Sequence, residues 1–116
     1  MSTTIYNKLV RDKIPDIISN NPNTKIIKIS KLNDDLDYMK ALLSKLTEEV
    51  DELKKAYFYG EGSLIEELAD IQEVLDTFAG QLGFDQRKIN TTQKDKGTEK
   101  GKFKARIFLE YIETHD

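Results

Sequence analysis

Apolar residues recur at three- and four-residue intervals through the middle of this chain. From residue 36 they fall at Leu36, Met39, Leu43, Leu46, Val50, Leu53 and Tyr57. That spacing predicts one long amphipathic helix with a single apolar stripe. Asn33, Asp34 and Asp35 supply N-cap chemistry at its start. A second stripe runs through Leu64, Leu68, Ile71, Leu75, Phe78 and Leu82. Ser63 caps that helix, Glu66 completes a capping box, and Gly83 suits the C′ position that ends it. Between the two, Gly60-Glu61-Gly62-Ser63 is a tight connection that folds the helices back antiparallel.

The flanks carry weaker patterns. Pro15 suits the first turn of a short helix through about Ser19, which Asn20, Asn21 and Pro22 then end. Lys25-Ile26-Ile27-Lys28-Ile29 is short and β-branched, so it predicts a strand or extended segment, with Arg106 to Leu109 as the expected partner. Asp85 caps a polar third helix running to about Lys96, with Ile89 its main apolar residue. Gly97 and Gly101 bracket an expected flexible or turned region before the more apolar stretch from Phe103 to Ile112. The pattern is all-α with a minor extended segment, and 116 residues predict a single domain spanning 1–116. Two long helices in so small a chain leave apolar stripe uncovered, so a homo-oligomer is expected.

Charge changes this picture more than composition does. The net charge is only −3, but it is unevenly laid out. Ala56 to Gln86 holds seven acidic residues and no basic one, whereas Arg87 to Arg106 holds eight basic residues and two acids. Residues 1–31 hold six basic residues against two acids. On the helical wheel, Glu49 lies on the shoulder of the first stripe with Glu52 further round, and Glu67 and Asp70 lie correspondingly on the second. Four carboxylates in a small volume are unfavourable without a cation. Hard oxygen donors with neither cysteine nor a nearby histidine favour Mg²⁺, with Mn²⁺ as substitute, beside a polyphosphate.

Blander readings stand beside this one. A solvated acidic face with i,i+4 ion pairs explains the first helix, where Lys45 can serve Glu49. No lysine or arginine is in reach within the second helix, although the basic C-terminal stretch could neutralise it without any metal. Glu73 and Asp76 repeat the same spacing, and only the stripe geometry prefers Glu67 and Asp70. Lys8, Arg11 and Lys13 also form an ordinary basic face in composition. Tyr57, Phe58 and Tyr59 suit packing better than base stacking, and no nucleic-acid motif accompanies the basic stretches. The lone His115 sits in the tail, which leaves no imidazole for general-base work. No run is long enough to span a membrane and no apolar leader is evident, so a cytoplasmic protein is expected.

These residues resemble a known family. Glu48-Glu49-Val50-Asp51-Glu52, followed after fourteen residues by Glu67-Leu68-Ala69-Asp70, is similar to the EExxE…ExxD signature of the MazG-like all-α nucleoside triphosphate pyrophosphohydrolases. The opening Tyr6-Asn7-Lys8-Leu9-Val10-Arg11-Asp12-Lys13-Ile14-Pro15 resembles the start of a small single-domain branch of that superfamily. Lys96, Lys100-Gly101 and Phe103 resemble the same branch's ending, with Lys102 where a second glycine is common. The acidic signature is loose, and the N-terminal decapeptide is the more specific part.

The resemblance implies a helical bundle assembled as a dimer or tetramer. It implies a hydrolase that cleaves a nucleoside triphosphate to monophosphate and pyrophosphate with Mg²⁺, in nucleotide-pool house-cleaning. Carried over by motif, Glu49, Glu52, Glu67 and Asp70 would be metal ligands, and Glu48 or Glu49 the base that takes a proton from water. Lys8, Arg11, Lys13, Lys96 and Lys100 would meet the phosphate chain. The alternative from another class is a non-catalytic helical module that binds nucleotide or dimerises. A second enzyme alternative is phosphoribosyl-ATP pyrophosphohydrolase, which usually has a tyrosine-histidine pair where Gln72-Glu73 stand here.

Overall fold

A computed structural model describes residues 2–115. Among the described residues four helices form, in the order α1 (Ile14–Ser19), α2 (Asp35–Tyr59), α3 (Leu64–Gln81) and α4 (Gln86–Lys100). The chain falls into two compact units that part between Leu82 and Gly83. Among the described residues no strand is present. The pairing expected between Lys25–Ile29 and Arg106–Leu109 does not form, because neither segment finds a backbone ladder. Ile26, Ile29 and Ile107 are left largely exposed.

In the first unit, local chemistry sets the helix ends. The Asp34 side chain accepts from the Asp37 N–H, capping α2. Gly60 ends α2 in the left-handed region at φ 67°, which a residue with a Cβ adopts at a cost. Ser63 Oγ accepts from the Glu66 N–H at 3.4 Å, so α3 starts at the expected cap. Gly83, at φ 79°, follows the α3 C-cap Leu82 and supplies the left-handed turn predicted there. Pro15 stands in the first turn of α1, where its missing N–H is harmless.

The α2–α3 hairpin holds the core, and the core is small. Leu42, Ala56, Val74 and Ala79 are its buried apolar residues, joined by one buried acid, Glu49. On α2 the buried set Leu42, Glu49 and Ala56 repeats every seven residues. At 100° per residue, that row lies about 80° round the helix from the leucine stripe. On α3, Val74 and the partly buried Glu67 are displaced from their stripe in the same sense, while the buried Ala79 lies on its other side. The acid-bearing faces therefore meet each other, and much of both stripes turns outward. Leu36, Leu43, Tyr57, Leu64, Leu68, Leu75 and Leu82 are all exposed. Glu49 and Glu67, placed by the helical wheel on the shoulders of the stripes, thus lie in the helix contact itself.

In the second unit, α4 runs beyond the expected end at Lys96, passing through Gly97 and stopping at Gly101. One internal glycine costs a helix only about 1 kcal/mol relative to alanine. The Lys102 methylenes lie 3.4–3.5 Å from where a Cβ on Gly97 would stand, so that side chain folds back against α4 at ordinary contact distance. From Phe103 onward the segment is irregular, and Phe103, Ile107 and Phe108 are exposed.

Candidate functional site: an acidic triad between two helices

Glu49, Glu67 and Asp70 each offer a carboxylate oxygen, and the three oxygens lie within 4.8 Å of one another. The seven-residue repeat that buries Leu42 and Ala56 also buries Glu49, at 8% exposure. Glu67 and Asp70 are three residues apart on α3, hence on neighbouring rows of one face. Oε2 of Glu67 is buried, and no hydrogen-bond partner among the described residues reaches it. Gly62, at φ 99°, packs against this carboxylate, since a Cβ there would lie 3.6 Å from Glu67 Oε1. Burial first, then the charges of Glu49 and Asp70, push the Glu67 carboxyl above its ordinary value.

Basic side chains approach the cluster from two directions. Lys45, one turn before Glu49 on α2, lies 3.4 Å from Glu49 Oε1 and 3.2 Å from Glu48 Oε1. The other approach comes from the N-terminal segment, which Asn7 bends with a left-handed φ of 46°. Lys8 donates to Glu48 Oε1 at 3.2 Å, and Arg11 donates to Asp70 Oδ1 at 2.7 Å. The Asp70 hydrogen bond holds the Arg11 guanidinium still more firmly protonated. For Glu48, burial pushes the carboxyl up, but the hydrogen bonds from Lys8 and Lys45 outweigh it and hold the carboxyl below the usual glutamate value. The pKa raised by burial thus belongs to Glu67 rather than to Glu48.

Three of the four expected metal-ligand residues come together. Glu52, the fourth, lies outside the triad, with its carboxylate 3.5 Å from Lys55 Nζ. Its charge still contributes to raising Glu67. Among the expected phosphate-binding residues, Lys8 and Arg11 stand at the cluster and Lys13 is the exposed N-cap of α1. Lys96 and Lys100 sit one turn apart on α4, both exposed. The role of Lys45 in this cluster was visible only as a helical ion pair. Its i,i+3 and i,i+4 spacing to Glu48 and Glu49 was the available signal.

Chemically, the triad is an oxygen-only donor set containing a buried, unpartnered carboxylate oxygen. That set suits a hard divalent cation better than a soft one. Among the described residues, no helix is long and apolar enough to cross a membrane. In comparisons with known proteins, no family model, no curated protein and no solved structure matches this chain.

Proposed function

We propose that the chain is a Mg²⁺-dependent nucleoside triphosphate pyrophosphohydrolase of the MazG-like type, acting in the cytoplasm. The observation that carries this reading is the triad itself, in which Glu67 keeps a buried oxygen without a partner between Glu49 and Asp70. An isolated buried polar atom is costly, and a cation would relieve it. Glu49, Glu67 and Asp70 would hold Mg²⁺, with Mn²⁺ as substitute, and Glu52 could join by turning from Lys55. When bound, the metal supplies neutralisation of polyphosphate oxygens and activation of water.

The remaining roles belong to the chain's own groups. Lys8, Arg11 and Lys13 bring positive charge to the phosphate chain and to charge developing on the leaving pyrophosphate. Lys96 and Lys100 are further phosphate contacts by resemblance. Glu48 or Glu49 takes the proton of an attacking water, and Lys45 stays beside both, at 3.2 and 3.4 Å, after Lys8 leaves Glu48.

A homo-oligomer belongs to the same reading. A hairpin whose core is four small and medium apolar side chains leaves a leucine row exposed on both helices. Val50, Leu53, Lys54, Tyr57, Phe58 and Leu64 line an apolar groove on that face. A second copy presents the same rows and would cover them in a four-helix arrangement.

The deciding experiment incubates pure protein with a panel of nucleoside triphosphates and Mg²⁺ and assays pyrophosphate release, with Asp70→Asn alongside. Turnover by the wild type and none by the variant supports the reading. Undiminished turnover by Asp70→Asn removes the ligand assignment. A non-catalytic nucleotide-binding module is the second reading, favoured by the pairing of Glu49 with Lys45 and Asp70 with Arg11. Nucleotide binding with no pyrophosphate release would select it.

A further inference from the structure

We infer that the N-terminal segment is a displaceable strap: Arg11 occupies Asp70 in the cation-free protein and must leave before a divalent cation can bind there. The inference rests on the metal-binding reading above and names how access to that site is controlled. Its basis is geometric. Arg11 Nη2 meets Asp70 Oδ1 at 2.7 Å, and Asp70 is one of the three carboxylates that converge. A guanidinium held on one oxygen of Asp70 repels a divalent cation approaching the same carboxylate.

The strap is held at two points, Arg11 to Asp70 and Lys8 to Glu48. Both are partly solvated, with side-chain exposures of 56% and 35% for the first pair and 40% and 33% for the second. Exposed pairs of this kind are weak, so they exchange readily. Lys45 is different. It is enclosed at 16% exposure and fixed to α2 by its own helix, so it stays while the strap moves. The segment from Ser2 to Val10 has no helix or strand to break when it lifts, and at Arg11 the carbonyl is tied to the turn into α1, accepting from the Ile14 N–H at 3.0 Å.

Cation binding and strap release are thus one equilibrium. Arg11 set free beside a bound cation is placed for the phosphate chain of an incoming nucleotide. The same side chain would serve as placeholder before binding and as anion contact after it.

The test measures Mg²⁺ affinity by titration calorimetry on wild type, Arg11→Gln and Arg87→Gln. Arg87 carries the same charge but pairs with Asp85, at the start of α4. Arg11→Gln should bind Mg²⁺ about two- to fivefold more tightly than wild type, the range an exposed ion pair allows. Arg87→Gln should bind as wild type does. In wild-type protein, the Arg11 Nε–H signal, identified among three arginines by its absence in Arg11→Gln, should shift as Mg²⁺ saturates.

Equal affinity in wild type and Arg11→Gln overturns the strap while leaving the metal site standing. So does an unmoved Arg11 signal at saturating Mg²⁺, or an equal gain in Arg87→Gln. No Mg²⁺ binding by any of the three proteins overturns the metal reading and the strap with it.

Discussion

Lys45 and Glu49 form an ion pair along α2 at 3.4 Å, with side chains only 16% and 10% exposed. This pair is what allows an acid to occupy the row otherwise filled by Leu42 and Ala56. Removing the lysine leaves Glu49 among neighbouring acids with no fixed positive charge. Lys45→Met should therefore destabilise the protein by about 1–3 kcal/mol at neutral pH, the cost of an unsatisfied buried polar group. Urea midpoints read it, and a midpoint equal to wild type would show that the pair contributes nothing.

Glu67 predicts a pH dependence of known sign. Its folded-state carboxyl titrates above the ordinary value of 4.5, so the folded protein binds the proton more tightly than the unfolded chain does. The stabilising contribution is complete below that ordinary value. It is lost as pH rises through the raised one. Glu67→Gln should flatten this fall and leave the cation-free protein more stable than wild type at neutral pH. Thermal melts at matched ionic strength across that range test it. Glu48 acts in the opposite sense, because its folded-state carboxyl titrates below 4.5 and its contribution disappears as pH falls through that lowered value.

Mg²⁺ should raise the melting temperature, since the unfolded chain does not gather the three carboxylates. At one hundred times the dissociation constant the gain is about 2.7 kcal/mol. Asp70→Asn should lose most of this gain. Its cation-free stability should stay near wild type, because losing the exposed Arg11 pair, worth about 0.2–1 kcal/mol, is offset by relieving repulsion on Glu67. Melting curves with and without Mg²⁺ distinguish the two effects.

Leu42 is the most enclosed core residue, at 2% exposure. Leu42→Ala should cost about 2–5 kcal/mol, the usual range for a buried leucine that leaves a cavity. Leu75, about half exposed on the outward row, should behave differently. Leu75→Lys should change the mass seen by light scattering toward a single chain if that row meets a second copy. An unchanged mass would remove the row from any interface.

Much of the hairpin was legible in the sequence because its signals are local. The Asp34 and Ser63 caps, the Gly60 turn and the α2 and α3 stripes all act within a few residues. The convergence of Glu49, Glu67 and Asp70 was also readable, because helical spacing fixes which residues share a flank. How far each helix rotates about its own axis was not. Apolar periodicity marks the face that avoids water in the end, whether against the same chain or another. Here part of the leucine row, expected to stay uncovered within one chain, turns outward, and the row bearing Glu49 makes the intrachain contact instead. The Lys25–Ile29 strand failed for a related reason, since β-branched composition describes what a ladder would accept and not whether a partner exists. The Arg11–Asp70 contact spans 59 residues of sequence, and no local pattern encodes it.

The short link from Gly60 to Ser63 has a consequence for which changes the hairpin can absorb. It sets the phase of α3 against α2, and each residue inserted or deleted in α3 before Glu67 would turn the acids by about 100°. Such a change would swing Glu67 and Asp70 away from Glu49, although every side chain in the triad was still encoded. Outer leucines can be exchanged for similar side chains one at a time, but an indel within α3 between its packed residues and Glu67 would dismantle the carboxylate arrangement in a single step.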